Sequence, residues 1–191
     1  MASIITATVA SGLTQSADNS GVLQLASGTG NLVTVPSVTG TAMVSGNMPA
    51  FSAYKSASQT LPYNTLTKVT FNTEEFDTNN NFASSTFTPT VAGYYQINVK
   101  GWFSGTANRD YFLSHRLYKN GSAISISGIS IKQLGSASEL SLDLSKLVYM
   151  NGSTDYLEVY AYTLDYTTAG TVDLAGGIGY TAFNGTLVRA T

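Results

Sequence analysis

Cysteine is absent from the 191 residues of this chain, so the fold contains neither disulfides nor thiolate metal sites. The chain can therefore be made and folded in a reducing cytosol. Histidine occurs only once, which excludes metal sites built from several nitrogen ligands. We predict no resident metal ion and no cofactor.

Charged side chains are also scarce. They make up 10% of the residues, whereas ordinary soluble domains contain roughly 25%. The formal net charge is −2 and no basic cluster occurs, so the electrostatic signature of nucleic-acid binding is missing.

No run approaches the ~20 apolar residues of a membrane span, and residues 1–6 lack a basic region. We therefore expect neither a membrane span nor an ordinary signal peptide.

Aromatic residues are missing from residues 1–48, which are rich in Gly, Ser and Thr. Two short apolar runs, 22–26 and 32–35, flank the turn-forming segment 27–31, and this pattern predicts a β-hairpin. A segment without an aromatic core should not fold well alone. A flexible tail, a stalk strand intertwined with sister chains and a docking arm all remain open. The residues expected to mediate attachment are Val22, Leu23, Leu25, Leu32, Val33 and Val35.

Residues 49–191 contain every Phe, Tyr and Trp of the chain. Strand-like runs recur here, for example at 94–99, 111–117 and 156–162, and Asn-Gly turn signals lie between them. No convincing amphipathic helix occurs. Many short strands separated by turns predict an all-β sandwich or jelly roll, preceded by residues 1–48 as an extended arm or stalk.

A spaced set of aromatic, glycine and aspartate residues carries a family resemblance. Its members are Phe71, Asp77, Phe82, Phe87, Gly93, Tyr95, Ile97, Phe183 and Gly185. The pattern resembles that of the complement C1q and tumour-necrosis-factor (TNF) head domains over roughly residues 50–190. Here the gap between Phe82 and Phe87 is shorter than usual, and Ile97 and Val99 replace aromatics. The resemblance implies a ten-stranded jelly-roll sandwich that assembles as a trimer.

Side-chain alternation suggests where subunits would meet. Tyr95, Ile97 and Val99 share one face of a predicted strand, and Tyr94 and Asn98 share the other. A later strand has an apolar face opposite a face of tyrosines, a residue suited to half-solvated contacts. Because the resemblance implies trimerisation through an inner sheet, the candidate trimer interface comprises Tyr94, Asn98, Tyr156, Tyr160 and Tyr162. A merely solvated tyrosine face is the alternative.

Catalytic constellations are not evident. His115 is the only possible triad base, but no Gly-x-Ser-x-Gly motif accompanies it, so we interpret it as an exposed or hydrogen-bonded strand histidine. Glu74, Glu75 and Asp77 match no calcium loop, and we expect them in a solvated loop. These observations predict a protein without enzymatic activity, catalytic residues or a metal site.

The arm-like segment joined directly to a C1q-like head is similar to small C1q-like proteins of phage genomes, and collagen repeats are absent. We therefore predict a bacteriophage virion surface protein that is made in the host cytoplasm. It would be either a tail-fibre or appendage tip that binds a host receptor, or a capsid-decorating trimer. Expected partners are the chain itself as a homotrimer, other virion proteins through residues 1–48, and a host-surface glycan or protein. The alternative is an exported C1q-like carbohydrate-binding or adhesive module.

Overall fold

The computed structural model of the chain describes residues 48–132 and 138–191, together with two strands nearer the N terminus. The chain divides into two compact units, Met1–Gly40 and Thr41–Thr191. In the first unit, β1 (Leu23–Ala26) pairs antiparallel with β2 (Leu32–Val35), so the predicted hairpin is present. The register sets Leu23 opposite Val35 and Leu25 opposite Val33. Val22 and residues 41–47, where we predicted the end of the arm, lie outside the described residues.

The second unit consists of strands and connecting turns throughout its described residues. Its strands are β3 (Ala50–Tyr54), β4 (Gln59–Leu61), β5 (Thr67–Lys68), β6 (Thr73–Asp77), β7 (Phe82–Ala83), β8 (Thr86–Phe87), β9 (Gly93–Gly105), β10 (Asp110–Lys119), β11 (Ser122–Lys132), β12 (Ser138–Met150), β13 (Leu157–Asp165), β14 (Val172–Leu174) and β15 (Ala182–Ala190). Within this described part, no helix is long and apolar enough to cross a membrane.

Two antiparallel sheets form the sandwich. Sheet I has seven strands, six of which follow the order β4-β14-β9-β15-β3-β6. In it, β14 and β15 pair with successive parts of one edge of β9, and β12, the seventh strand, pairs with the opposite edge of β9. Sheet II has six strands in the order β11-β10-β13-β8-β7, and β5 also pairs with β13. The predicted all-β jelly-roll sandwich is therefore confirmed. Short pairings such as β5, β7 and β8 raise the number of strands above the ten expected.

Strict alternation of buried and exposed residues explains why β9 and β13 form strands in the sandwich. In β13, Leu157, Val159 and Ala161 are fully buried, whereas the residues between them are half-exposed. In β9, Tyr95 and Ile97 are buried in the same way. Because successive strand side chains point to opposite faces, each strand contributes one face to the core and one to the surface. The burial of the two inward faces against each other holds sheets I and II together.

An aromatic cluster lies at one end of this core. The ring of Phe51 stacks on Phe87 at 4.2 Å and on Phe82 at 5.1 Å, and it meets the edge of Phe183 at 4.9 Å. Phe183 also contacts Phe71 at 5.5 Å. Four of these five residues belong to the sequence pattern that resembles C1q and TNF heads. Their spacing along the chain therefore reflects the meeting of β3 and β15 of sheet I with β7 and β8 of sheet II.

Local contacts also explain two non-aromatic members of the pattern, Gly185 and Asp77. A Cβ added to Gly185 would lie 2.6 Å from Ile97 Cδ1 and 2.8 Å from Phe51 Cε1, so only glycine permits this approach. Asp77 closes the turn after β6, since its carboxylate accepts hydrogen bonds from the backbone N–H of Phe82 (2.7 Å) and Asn79 (3.3 Å). Such side-chain bonds satisfy turn amides that no strand partner reaches.

One expectation is corrected here. Glu74 and Glu75 lie in strand β6 rather than in a loop, although both are exposed as expected. The Ser52 hydroxyl donates a hydrogen bond to Glu75 Oε2 at 2.6 Å, which explains how an acidic side chain is accommodated on this edge strand. The strand after the Asn151-Gly152 turn, β13, belongs to sheet II and not to the sheet that contains β9.

Truncating the aromatic cluster provides a test of the core. Phe183→Ala should lower the free energy of unfolding by about 3–5 kcal/mol, because the fully buried ring leaves a cavity among Phe51, Phe71 and Phe82. Tyr166→Ala, at a site that is 60% exposed, is the matched control and should cost under about 0.5 kcal/mol. Urea titration at fixed protein concentration measures both. A loss under 1 kcal/mol for Phe183→Ala would contradict the described packing.

Candidate interaction surfaces

The outward face of sheet I is organised along the thirteen residues of β9. Tyr94, Gln96, Asn98, Lys100 and Trp102 alternate with the buried residues and therefore point away from the core. Because β12 and β15 or β14 flank β9 on its two sides, this row forms the middle of a broad outer surface. Along β9 this row changes from aromatic Tyr94 to polar Gln96 and Asn98, and then to Lys100 and the aromatic Trp102.

An exposed apolar patch occupies the end of this face where β9 begins. We define it by Tyr94, Leu147 and Tyr149, which are 41%, 53% and 45% exposed. Tyr94 and Tyr149 are direct cross-strand partners whose ring centroids lie 5.5 Å apart, and Leu147 lies opposite Gln96 on the same face. Exposed apolar residues that lie together on one surface are a common feature of protein contact sites. The apolar patch is therefore a candidate contact surface.

Beside the apolar patch lies an uncharged polar row across three strands. The Ser145 hydroxyl donates to Asn98 Oδ1 at 2.9 Å, and the Asn98 amide donates to Asn184 Oδ1 at 3.1 Å. Gln96 Nε2 donates to Ser145 Oγ at 2.7 Å. These bonds hold the side chains in fixed positions without any formal charge. Aromatic residues beside a region depleted of charge are the composition found at the centre of protein interfaces.

The tyrosines of β13 lie on the outward face of sheet II and are half-buried by partners in their own chain. The Tyr160 ring packs 4.6 Å from Tyr118, and its hydroxyl donates to Glu158. The Arg116 guanidinium lies 4.7 Å above the Tyr162 ring. Burial, followed by the neighbouring Glu158 carboxylate, raises the pKa of Tyr160 above its ordinary value. Tyr160 and Tyr162 are thus already partly covered by side chains of their own chain.

The predicted trimer-interface residues therefore do not form one surface. Tyr94 and Asn98 lie on the outer face of sheet I, whereas Tyr160 and Tyr162 lie on that of sheet II, and Tyr156 immediately precedes β13. They lie on two surfaces because β9 and β13 belong to different sheets, which alternation within each strand does not reveal. Sequence reasoning also missed Leu147 and Tyr149. The alternation of Leu147 and Tyr149 with buried Val148 and Met150 was the signal that could have found them.

Asp155 connects the two turns that the Asn-Gly dipeptides predicted. Its carboxylate accepts from the Asn120 side-chain amide (2.7 Å), the Asn151 backbone N–H (2.9 Å) and the Lys119 ammonium (2.8 Å). The hydrogen bond from Lys119 is the main cause that lowers the Asp155 pKa, against the opposing effect of burial. Asn120 and Gly121 have φ values of 51° and 78°, as the tight hairpin between β10 and β11 requires. These turns are structural.

His115 is buried in the core, which corrects the expectation of an exposed or hydrogen-bonded residue. Its ring stacks on Phe103 at 4.8 Å and is 1% exposed. Neither ring nitrogen has a hydrogen-bond partner among the described residues. Gly101 makes room for the ring, because a Cβ there would lie 2.1 Å from His115 Nε2. Burial lowers the pKa of His115 to about 4, so the ring is neutral at pH 7.

The described part of the chain groups no three His, Asp or Glu side chains in the manner of a metal site.

No protein-family model matches the sequence, and no curated protein matches it either. The solved structure of Eiger TNF from S. frugiperda is similar in fold, with a TM-score of 0.56 and 10% sequence identity. The alignment covers 75% of this chain and 93% of that chain. At this identity the likeness shows the fold alone, a C1q- and TNF-like jelly roll.

The burial of His115 predicts a pH-dependent stability. The unfolded chain protonates this histidine near pH 6.5, but the folded chain does so only at about pH 4. The neutral, buried His115 therefore makes its full contribution to stability above pH 6.5. The free energy of unfolding should fall by about 3 kcal/mol as the pH drops from 6.5 to 4. Urea titrations across this range measure the loss.

His115→Leu is the control, since leucine has a similar size and does not titrate. Most of the loss between pH 6.5 and 4 should disappear in this variant. Carboxylates with lowered pKa values, such as Asp155, lose their contribution only at still lower pH. Equal pH dependence of the two proteins would contradict the buried, unpaired histidine.

Proposed function

We propose that this chain is a non-enzymatic structural protein on the surface of a bacteriophage virion, where it forms trimers and presents the jelly-roll head outward. The observation that carries the proposal is the exposed apolar patch of Tyr94, Leu147 and Tyr149, which lies beside the uncharged polar row on the outer face of sheet I. The resemblance to C1q and TNF heads supports a threefold assembly. A closed rotational assembly is also the default arrangement for homo-oligomers.

The face of sheet I is a better candidate for the subunit contact than the face of sheet II. The apolar patch is exposed to solvent in the single chain, so its burial by sister chains would contribute favourable free energy at roughly 25 cal/mol per Å² of apolar surface. Tyr160 and Tyr162 are already packed against Tyr118 and Arg116, and further burial of them would gain less. We therefore assign the trimer contact to the outward side of β9 and β12.

Residues 1–48 would attach the head to the particle. The hairpin of β1 and β2 contains apolar residues, including Leu23, Leu25 and Val33, but no aromatic residue. A two-stranded hairpin is marginal in water unless other surfaces cover it. Sister chains or another virion protein would supply that cover. Both a fibre or appendage tip and a capsid-decorating trimer are compatible with this division of roles.

The assembly can be tested by mass. The wild-type protein should sediment as a trimer of about 60 kDa, which is three times the 20.1 kDa chain. Leu147→Lys should raise the dissociation constant of the trimer at least ten-fold, because three added charges would be brought into an apolar contact. The matched control is Ile126→Lys, since Ile126 is similarly exposed (59%) but lies on sheet II. It should leave the trimer intact.

Sedimentation velocity at micromolar concentration gives the result, with circular dichroism to verify the fold of each variant. A monomeric wild-type protein would overturn the trimer. Tyr160→Lys tests the other face and should assemble normally. If Tyr160→Lys dissociates the trimer and Leu147→Lys does not, the contact lies on sheet II.

Deletion of residues 1–48 tests the attachment role. We expect a soluble trimer that no longer joins the particle, because residues 49–191 hold all the aromatic residues and the whole described sandwich. The truncated and full-length proteins are added separately to particles that lack the native protein, and incorporation is compared. Normal incorporation of the truncated protein would place the docking surface on the head. A truncated protein that is monomeric would make residues 1–48 the trimerisation element.

A further inference from the structure

A cleft of about 340 Å³ opens on the outer face of sheet I, at the end of β9 remote from the apolar patch. It is lined by Ser58, Trp102, Ser104, Glu139, Asp173 and Tyr180. The lining, which Ala175 completes, combines two aromatic rings, two carboxylates, two serine hydroxyls and the Tyr180 hydroxyl, and it includes no lysine or arginine. Ligand sites commonly combine an apolar wall with a few polar groups that fix orientation.

The polar floor of the cleft is one row of strand register. Ser104 of β9 pairs with Glu139 of β12 on one side and with Asp173 of β14 on the other. The two acidic residues are thus two strand spacings apart, about 10 Å at the backbone, with the serine between them. The Thr60 hydroxyl donates to Asp173 Oδ1 at 2.7 Å and fixes that carboxylate at the outer edge.

The aromatic wall stands beside this row. Trp102 lies two residues before Ser104 and therefore shares its face of β9. The Tyr180 ring meets the Trp102 ring edge-on, with centroids 5.5 Å apart and an interplanar angle of 72°. Tyr180 is 47% exposed although it is packed against the indole. The cleft thus presents aromatic surface directly next to hydrogen-bond acceptors.

The loop that carries Tyr180 is held in place by backbone bonds. Ala175 N–H donates to Trp102 O at 2.8 Å, and Gly177 N–H donates to Lys55 O at 2.6 Å. The Lys100 ammonium donates to Gly179 O at 2.8 Å. Gly177 has φ of +123°, a conformation that requires glycine. The cleft is therefore preformed, which reduces the entropic cost of binding.

We propose that this cleft binds one ring of a neutral saccharide. The apolar C–H face of a pyranose would pack on Trp102 and Tyr180, while its hydroxyls would donate to the Glu139 and Asp173 carboxylates. Hydrogen bonds to ionised acceptors are roughly twice as strong as neutral ones. Ser58 and Ser104 would pair with further hydroxyls.

Other ligand classes fit this lining less well. Two carboxylates without a lysine or arginine in the lining disfavour anions such as phosphates and acidic sugars. Acidic residues about 10 Å apart at the backbone are poorly placed to ligate one cation together, because Ca²⁺ takes oxygen ligands at 2.3–2.6 Å. An organic cation would satisfy the carboxylates and the rings, but it would leave the serine hydroxyls without partners.

The cleft and the proposed trimer contact are compatible. Tyr94 and Trp102 are eight residues apart on one strand, which corresponds to about 26 Å along β9. The inference rests on the proposed outward-facing head, for which it names a ligand class and a site. Binding is measured on the free full-length protein, so its failure and the failure of the virion role are distinguishable.

The test uses the fluorescence of Trp102, which is the only tryptophan of the chain. The full-length protein is titrated with glucose, galactose, mannose and N-acetylglucosamine, and separately with choline and with glucuronate. We expect a saturable change with at least one neutral sugar at millimolar concentration and a much weaker response to choline and glucuronate. No response to any neutral sugar, or an equal response to choline, would overturn the proposal.

Variants locate the binding. Tyr180→Ala, Glu139→Gln and Asp173→Asn should each weaken the sugar response at least ten-fold. Tyr166→Ala, at an exposed aromatic residue in the turn after β13, is the control and should bind as the wild type does. Saturation-transfer NMR on the same sugar provides a readout that does not depend on the indole. Unchanged binding in all three cleft variants would place the sugar elsewhere and contradict the site.

Discussion

The alternation of β9 is the constraint on which the second unit depends. Its buried residues, including Tyr95, Ile97 and Phe103, form the middle of the core, and the residues between them form the outer face of sheet I. Since strand side chains alternate with a period of two, a shift of one residue would exchange the two sets. Such a shift would expose the core and bury Asn98 and Lys100. The register with β12 and β15 therefore places the core, the apolar patch and the cleft at once.

Much of the fold could be predicted because its signals are local. Turn residues and apolar runs identified the hairpin at Asn120-Gly121 and the hairpin of β1 and β2. The resemblance to C1q and TNF heads singled out Phe71, Phe82, Phe87 and Phe183, which the structure brings together. Sheet membership is a long-range property, and alternation within β13 does not reveal which strands pair with it. For this reason the sequence did not show that the β13 tyrosines lie on a different sheet from Tyr94 and Asn98.

The features that sequence reasoning missed depend on contacts between distant residues. His115 is buried because Gly101, on the opposite sheet, leaves space for its ring, and no local pattern links the two residues. The cleft brings Trp102, Glu139, Asp173 and Tyr180 together from three strands and a loop. None of these residues forms a motif along the chain. Only the pairing of β9 with β12 and β14 makes them neighbours.

The arrangement of the outer face of sheet I gives a physical reason for the scarcity of charged residues. Along the outer face of sheet I, aromatic side chains, an uncharged polar row and an acidic cleft follow one another. The apolar end suits contact with identical chains, and the acidic aromatic end suits a small polar ligand. In the proposed arrangement, a single sheet face would serve both assembly and recognition, and the hairpin of the first unit would serve attachment.

The central claim, a trimeric head attached to a phage particle by residues 1–48, is tested most directly by cryo-electron microscopy of the purified particle. The account predicts three heads around a threefold axis, with the outer face of sheet I at the axis and residues 1–48 toward the particle. Heads that occur singly, that meet through sheet II, or that are absent from the particle would contradict it.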